Sequence, residues 1–303
     1  MTRHLLDIDD FSRDELVEVL DRCADPATPP QVLAGKGAAL LFEKPSNRTR
    51  NSTEMAVVKL GGHPIYLKPD EVGVDGRESA EDVARTLACY HSVIAARVFD
   101  HGVLERMAGA VDIPVVNLLS DRSHPLQAIA DLLTIRTEFE NLAGRTVTWL
   151  GDYSNVARSL GLAASLSGME VRFACPPGYE PPAADLARFG ELGGQGVVTD
   201  IDPKSMAEGA DVVATDAWYS MGQEAEIAVR RATFEPYRVD AALMSVAAPH
   251  AVFLHCLPAH RGEEVTDEVL DGPQSRVWLE AANRLPAARG SLEWLLAHSR
   301  MRA

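Results

Sequence analysis

Short apolar runs separated by segments of helical spacing organise this chain. The run Gly37-Ala38-Ala39-Leu40-Leu41-Phe42 is glycine-bounded and follows a proline-rich loop at 26–30, as a buried strand would. Comparable apolar runs recur at 92–96, 113–118, 146–150, 170–174, 210–214 and 251–254. Helix-like segments such as 125–139, 156–167 and 182–192 lie between them. Strands apolar throughout, alternating with helices, predict parallel sheets covered on both faces. The expected fold is α/β: two doubly wound domains, each a mostly parallel sheet flanked by helices, with a C-terminal helix packing back on the first domain.

Local signals add boundaries. Ser12 and Glu15 form a capping-box pattern, with Phe11 stapled on Leu16, and Leu16, Val19, Leu20 and Cys23 follow on one helical face. A second helical stretch begins after Glu43-Lys44-Pro45-Ser46 and ends near Gly61-Gly62. At the C-terminus, Leu292, Leu295 and Leu296 stand at helical spacing behind Ser291, read as a cap. The segment Glu138 to Arg145 is the expected junction, giving domains at 1–140, joined by the C-terminal helix at about 288–303, and at 141–287.

Composition narrows the function classes. The 303 residues are 46% hydrophobic and 24% charged, enough chain for two cores. Twenty-nine basic against 44 acidic residues give a formal charge of −15, which argues against nucleic acid or an acidic membrane as partner. An anionic ligand would need a local basic pocket. The opening MTRHLLDIDDFSRDEL places charges where a signal peptide needs its apolar stretch, and no run reaches the roughly 18 apolar residues of a membrane span. The expected location is therefore cytoplasmic. Cys23, Cys89, Cys175 and Cys256 are far apart, with no C-x-x-C pair to suggest a disulfide framework or zinc ribbon.

Candidate chemistry collects where strands end. In "FEKPSNRTR", residues 42 to 50, a buried strand leads through proline to Ser46 at a helix start, followed by Arg48, Thr49 and Arg50. Free amides, the positive end of a helix, hydroxyls and guanidinium donors make a phosphate cradle without a glycine-rich loop; the plainer alternative is a solvated basic helix start. His124 precedes Pro125, with Gln127 over the same helix end, and Arg97 closes the run "SVIAA". Gly151-Asp152 lacks the G-x-G-x-x-G dinucleotide pattern, and Asp152, Ser154 and Asn155 suit an amino-acid ligand better. Asp216 ends another buried run and leads into Ser220-Met221-Gly222, a stretch suited to closing over a substrate. His255 and Cys256 follow the run 251–254; with His260 they make a poor tetrahedral metal set. A polar contact to substrate fits Cys256 better than a covalent role, which would need a base and an oxyanion hole.

Together, Ser46-Asn47-Arg48-Thr49-Arg50, His124-Pro125-Leu126-Gln127, Asp216 with Ser220-Met221-Gly222, and His255-Cys256-Leu257-Pro258 resemble the ornithine carbamoyltransferase family in order, spacing and chain length. The S-x-R-T-R and H-P-x-Q motifs belong to carbamoyltransferases in general; S-M-G and H-C-L-P point to ornithine over aspartate. The resemblance implies transfer of a carbamoyl group from carbamoyl phosphate to the side-chain amine of L-ornithine, giving citrulline and phosphate in arginine metabolism, with no metal or organic cofactor. It implies that the first domain binds carbamoyl phosphate and the second ornithine. Ser46, Asn47, Arg48 and Thr49 would hold the phosphate group; Arg97, His124 and Arg284 would face the carbonyl oxygen. Gln127 and the Leu257 carbonyl would receive the carbamoyl NH2, and Asn155, Asp216, Ser220, Met221 and Cys256 the amino acid. A homotrimer is also implied, in which the loop Lys68 to Glu78 reaches a neighbouring site; here that loop is slightly longer and more acidic than its usual counterpart. The competing expectations are a sister enzyme using acetylornithine, putrescine or another amine, and a non-catalytic paralogue that binds phosphate compounds. A dehydrogenase is opposed by the missing glycines.

Overall fold

The computed structural model describes residues 2–194, 196–219 and 224–299. The chain divides into two compact units, Met1–Leu133 with Asn283–Ala303, and Thr134–Ala282. In the first, β1 (Gly37–Phe42), β2 (His63–Leu67), β3 (His91–Arg97) and β4 (Val115–Leu119) form a sheet in the order β2-β1-β3-β4. In the second, β5 (Thr146–Leu150), β6 (Glu170–Ala174), β7 (Gly196–Asp200), β8 (Val212–Thr215) and β9 (Val252–His255) run in the order β7-β6-β5-β8-β9. Every pairing between these strands is parallel.

The central strands are buried because both faces are covered. Ala39, Leu41, Ile94 and Ala96 pack with Val83, Ala84, Leu104 and Met107 from helices Ala80–Ala88 and His101–Ala110 in the first unit. In the second, Leu150, Val213 and Phe253 pack with Tyr237, Leu243, Val265 and Val277. In each sheet the chain moves outward on one side of its first strand and then crosses to the other. The reversals fall between β1 and β3 and between β5 and β8, and open α/β sheets bind ligands at the carboxyl ends of such strands. Phe42 is the register partner of Arg97 at the first reversal, and Leu150 that of Thr215 at the second.

The Ser12–Glu15 capping box forms as expected at the head of helix Arg13–Ala24. Two strands were not expected: β2 and β7 are outermost in their sheets and only partly covered, so neither carries an uninterrupted apolar run. The C-terminal helix differs from expectation too. It runs unbroken from Val277 to His298 with Pro286 inside it, and Ser291 is a buried interior residue whose hydroxyl donates to Ala287 O at 2.7 Å rather than a cap. The units divide between Leu133 and Thr134, inside helix Pro125–Phe139, and between Ala282 and Asn283.

Within the first unit that helix rests closely on helix Arg13–Ala24. A Cβ built on Gly290 would lie 2.5 Å from Cys23 Sγ and 2.9 Å from the Cys23 backbone nitrogen. Alanine gains about 1 kcal/mol over glycine by helix propensity, whereas overpacking costs about 1–3 kcal/mol. Gly290→Ala is therefore expected to be net destabilising in denaturant unfolding; unchanged or increased stability would show that the two helices part at a cost no greater than the propensity gain of about 1 kcal/mol.

Candidate active site

At the first reversal, the side chains form one connected group. Ser46 caps helix Asn47–Lys59 by accepting from Thr49 N at 3.3 Å, which places the amides and positive end of the helix just beyond β1. Thr49 is buried and its Oγ1 accepts from Arg284 Nη2 at 3.1 Å. Arg284, 4% exposed, also donates through Nη1 to Gln127 Oε1, and its Nη2 lies 3.4 Å from His124 Nε2. Gln127 Nε2 donates to Asp131 Oδ1 at 2.7 Å one helical turn on. That bond fixes the amide so that its oxygen, not its NH2, is turned towards Arg284.

This group is strongly cationic. His124, 4% exposed, is held well below the ordinary histidine range by burial first, and then by the charges of Arg284, Arg97 and Arg48. The ring is therefore neutral near pH 7, and because a guanidinium can only donate, Nε2 accepts in the contact with Arg284. Lys44 sits 4.0 Å from the Phe99 ring centroid; burial and then the Arg97 charge lower its pKa. The Arg48 side chain makes no ion pair or hydrogen bond among the described residues. Asn47 is exposed and receives Asn51 Nδ2 on its own Oδ1 at 3.0 Å. The structure thus brings Thr49, His124, Gln127 and Arg284 into contact, with Arg97 and Arg48 near enough for their charges to act on His124.

The second reversal carries different chemistry. Asp216, just past β8, accepts the Cys256 thiol at 3.2 Å through Oδ1, which also takes the Ala217 N–H at 2.7 Å. Asn155 opens helix Asn155–Leu166, capped by Ser154. Asp152, beyond β5, has its pKa raised by burial against the lowering effect of Arg230, with Asp216 adding to the rise. The buried Arg230 donates to Asp152 Oδ2 and to the Trp218 carbonyl, linking the loops after β5 and β8. The expected site residues Ser220 and Met221 lie outside the described residues. Leu257 follows Cys256 with φ 59°.

Asp216, His255 and Cys256 place potential metal donors within 4.8 Å of one another, so the third member of such a set is Asp216 rather than His260. Both His255 nitrogens are already engaged: Nδ1 accepts from Leu257 N at 2.9 Å, and Nε2 faces Glu264 Oε1 at 3.1 Å. A metal would have to displace one of these bonds. Asp131, Arg230, Glu264 and Glu280 went unmarked in the sequence. Only Asp131 had a signal, its place four residues after Gln127.

Comparison with known proteins bears on this geometry. The profile for the carbamoyl-P binding domain of aspartate/ornithine carbamoyltransferases matches residues 3–137, and that for the Asp/Orn binding domain matches 143–295. The chain belongs to the aspartate/ornithine carbamoyltransferase family. The ornithine carbamoyltransferase of Thermus thermophilus is 47% identical over 299 residues, covering 98% of this chain and 97% of that protein. The solved ornithine carbamoyltransferase from Pyrococcus furiosus is 41% identical with a TM-score of 0.94, covering 99% of this chain and 98% of the other. A solved N-acetyl-L-ornithine transcarbamylase has a TM-score of 0.87 at 29% identity, covering 96% of this chain and 99% of the other.

The neutral state of His124 has a consequence for stability. With its folded pKa well below the unfolded value of about 6.5, the unfolded chain binds the proton first. Its contribution is fully present above about pH 6.5 and is lost as pH falls towards the folded value, by up to about 1.4 kcal/mol per pH unit. Denaturant unfolding of wild type and His124→Gln between pH 7.5 and 5.5 is expected to give a steeper loss in wild type. Parallel slopes would mean that the folded ring takes up the proton freely.

Proposed function

We propose that this chain transfers the carbamoyl group of carbamoyl phosphate to the side-chain amine of L-ornithine, giving citrulline and phosphate. The observation that carries the reading is the cationic group around neutral His124 at a helix N-terminus, in a chain of formal charge −15. The phosphate group meets the amides at the start of helix Asn47–Lys59, with Ser46, Asn47, Arg48 and Thr49 around it. Arg97, His124 and Arg284 face the carbonyl oxygen, where negative charge grows as the amine adds. For His124 to donate from Nε2, the substrate must take the place of its Arg284 contact and the ring hydrogen must move from Nδ1 to Nε2. The Gln127 oxygen, oriented by Asp131, suits the carbamoyl NH2, as does the Leu257 carbonyl.

The nucleophile must be a neutral amine, yet an alkylamine of this kind has a pKa of about 10.4 in water. Removal from water lowers it. In this reading Asn155, Asp216, Ser220, Met221 and Cys256 hold the amino acid, with Asp216 and Cys256 orienting the amine. Its nitrogen bonds to the carbonyl carbon, the carbon–oxygen bond to phosphate breaks, and the departing phosphate takes the amine proton. Cys256 therefore stays a thiol throughout and forms no covalent intermediate. The higher identity to proteins named for ornithine than to the acetylornithine enzyme supports ornithine as acceptor.

The same reading includes a cytoplasmic homotrimer in which the loop Lys68 to Glu78 serves a neighbouring subunit. The loop is well tied within its own chain, with Arg106 pairing to Asp75 and Val74 bridging Glu78, and no helix among the described residues is long and apolar enough to cross a membrane.

Citrulline-type product formation should be strongest with L-ornithine among ornithine, N-acetylornithine, putrescine and aspartate. Asp216→Asn should lower kcat/KM for ornithine by about 100-fold, or about 2.7 kcal/mol, and Cys256→Ala by about tenfold. Preference for another amine would overturn the assignment of the second unit, and no turnover with any amine would favour a binding protein.

A further inference from the structure

Glu264 is a carboxylate that the reaction described above leaves unused, and it is fully buried at 0% exposure. Its Oε1 accepts from His255 Nε2 at 3.1 Å and from the backbone N–H of His260. Those two residues are the ends of the segment that contains Cys256 and Leu257. The His255 side chain reaches back as well: Nδ1 accepts from Leu257 N at 2.9 Å, which requires the ring hydrogen to sit on Nε2, towards Glu264. The His255 N–H is itself taken by Glu280 Oε2 at 2.8 Å.

Side-chain acceptors thus hold the amides of residues 255, 257 and 260. Leu257 keeps φ 59°, a left-handed conformation unfavourable for leucine unless its surroundings impose it. At the far end of the turn, the His260 ring stacks on Tyr219 with centroids 4.8 Å apart and planes 13° from parallel. The Tyr219 hydroxyl lies 3.1 Å from Glu263 Oε1.

We propose that Glu264 is a positioning residue for carbamoyl transfer: by holding His255 and His260 together it sets the thiol of Cys256 against Asp216. The role depends on two accepted hydrogen bonds and not on the negative charge, and it rests on the carbamoyl-transfer reading. Glutamine retains a carbonyl oxygen at the same reach; alanine retains nothing. Misplacing reacting groups by about 1 Å costs on the order of 100-fold in rate.

The test compares wild type, Glu264→Gln and Glu264→Ala, varying each substrate in turn. Folded Glu264→Ala should lose about 100-fold in kcat/KM for ornithine while its KM for carbamoyl phosphate moves by less than about threefold; Glu264→Gln should stay within about threefold of wild type on both. Wild-type kinetics in Glu264→Ala, or equal damage in Glu264→Gln, would overturn the proposal. If Glu264→Ala does not fold, His255→Asn removes the same bond while Glu264 still holds His260 N, and should show the same selective loss; wild-type kinetics there would overturn the proposal equally. A readout independent of turnover is the rate at which Cys256 reacts with a small aromatic disulfide, measured with the exposed Cys89 replaced by serine. That rate should change by about tenfold in Glu264→Ala and hold steady in Glu264→Gln. Absence of wild-type turnover with ornithine would sink the functional reading alone, because the thiol rates would still decide the role of Glu264.

Discussion

Positive charge gathered around one buried, neutral imidazole is the constraint on which the first unit depends. Arg284 donates to Gln127 and Thr49 and approaches His124, while Arg97 and Arg48 add their fields. Cations brought together out of water repel one another, and the cost falls when an anion enters. In a protein of formal charge −15 this concentration is local, built by the ends of β1 and β3, the start of helix Asn47–Lys59 and one residue from the C-terminal helix. The parallel sheet supplies it by delivering strand ends and helix starts to one edge.

The second unit uses the same architecture for a different chemistry. At its reversal the charged groups are mainly acidic, and its central pair is a thiol donating to a carboxylate. Burial raises Asp152 while Arg230 opposes the rise, and the loops after β5 and β8 are tied through the buried Arg230, which pairs with Asp152 and donates to the Trp218 carbonyl. The turn after β9 is held by Glu264 and Glu280 as well as by its own histidine. A cationic edge and an edge bearing a thiol–carboxylate pair are thus both products of the doubly wound pattern, differing in which side chains the strand ends carry.

Much of this was legible because burial on both faces writes itself as an apolar run. The central strands announced themselves in that way, and the helix expected at 125–139 is present as Pro125–Phe139. β2 and β7 were illegible because they are only partly covered, whereas the other two outer strands, β4 and β9, are buried and carry apolar runs. The break implied by Ser291 was overridden: the helix continues through Pro286, and packing on helix Arg13–Ala24 decides its course. The motifs placed Thr49, His124 and Gln127, and the family resemblance added Arg284; the fold brings the four into contact. Glu264 and Glu280 look like solvent-facing acids in sequence, since only three-dimensional packing reveals that both are buried behind a turn.

Calorimetric binding of carbamoyl phosphate in the absence of any amine tests the central claim most directly. The account predicts that the wild-type protein binds it unaided, and that folded Arg48→Ala and Arg284→Gln proteins bind at least about 100-fold more weakly, or about 2.7 kcal/mol. Equal affinity in all three proteins would contradict the proposal that these cations form the phosphate and carbonyl site.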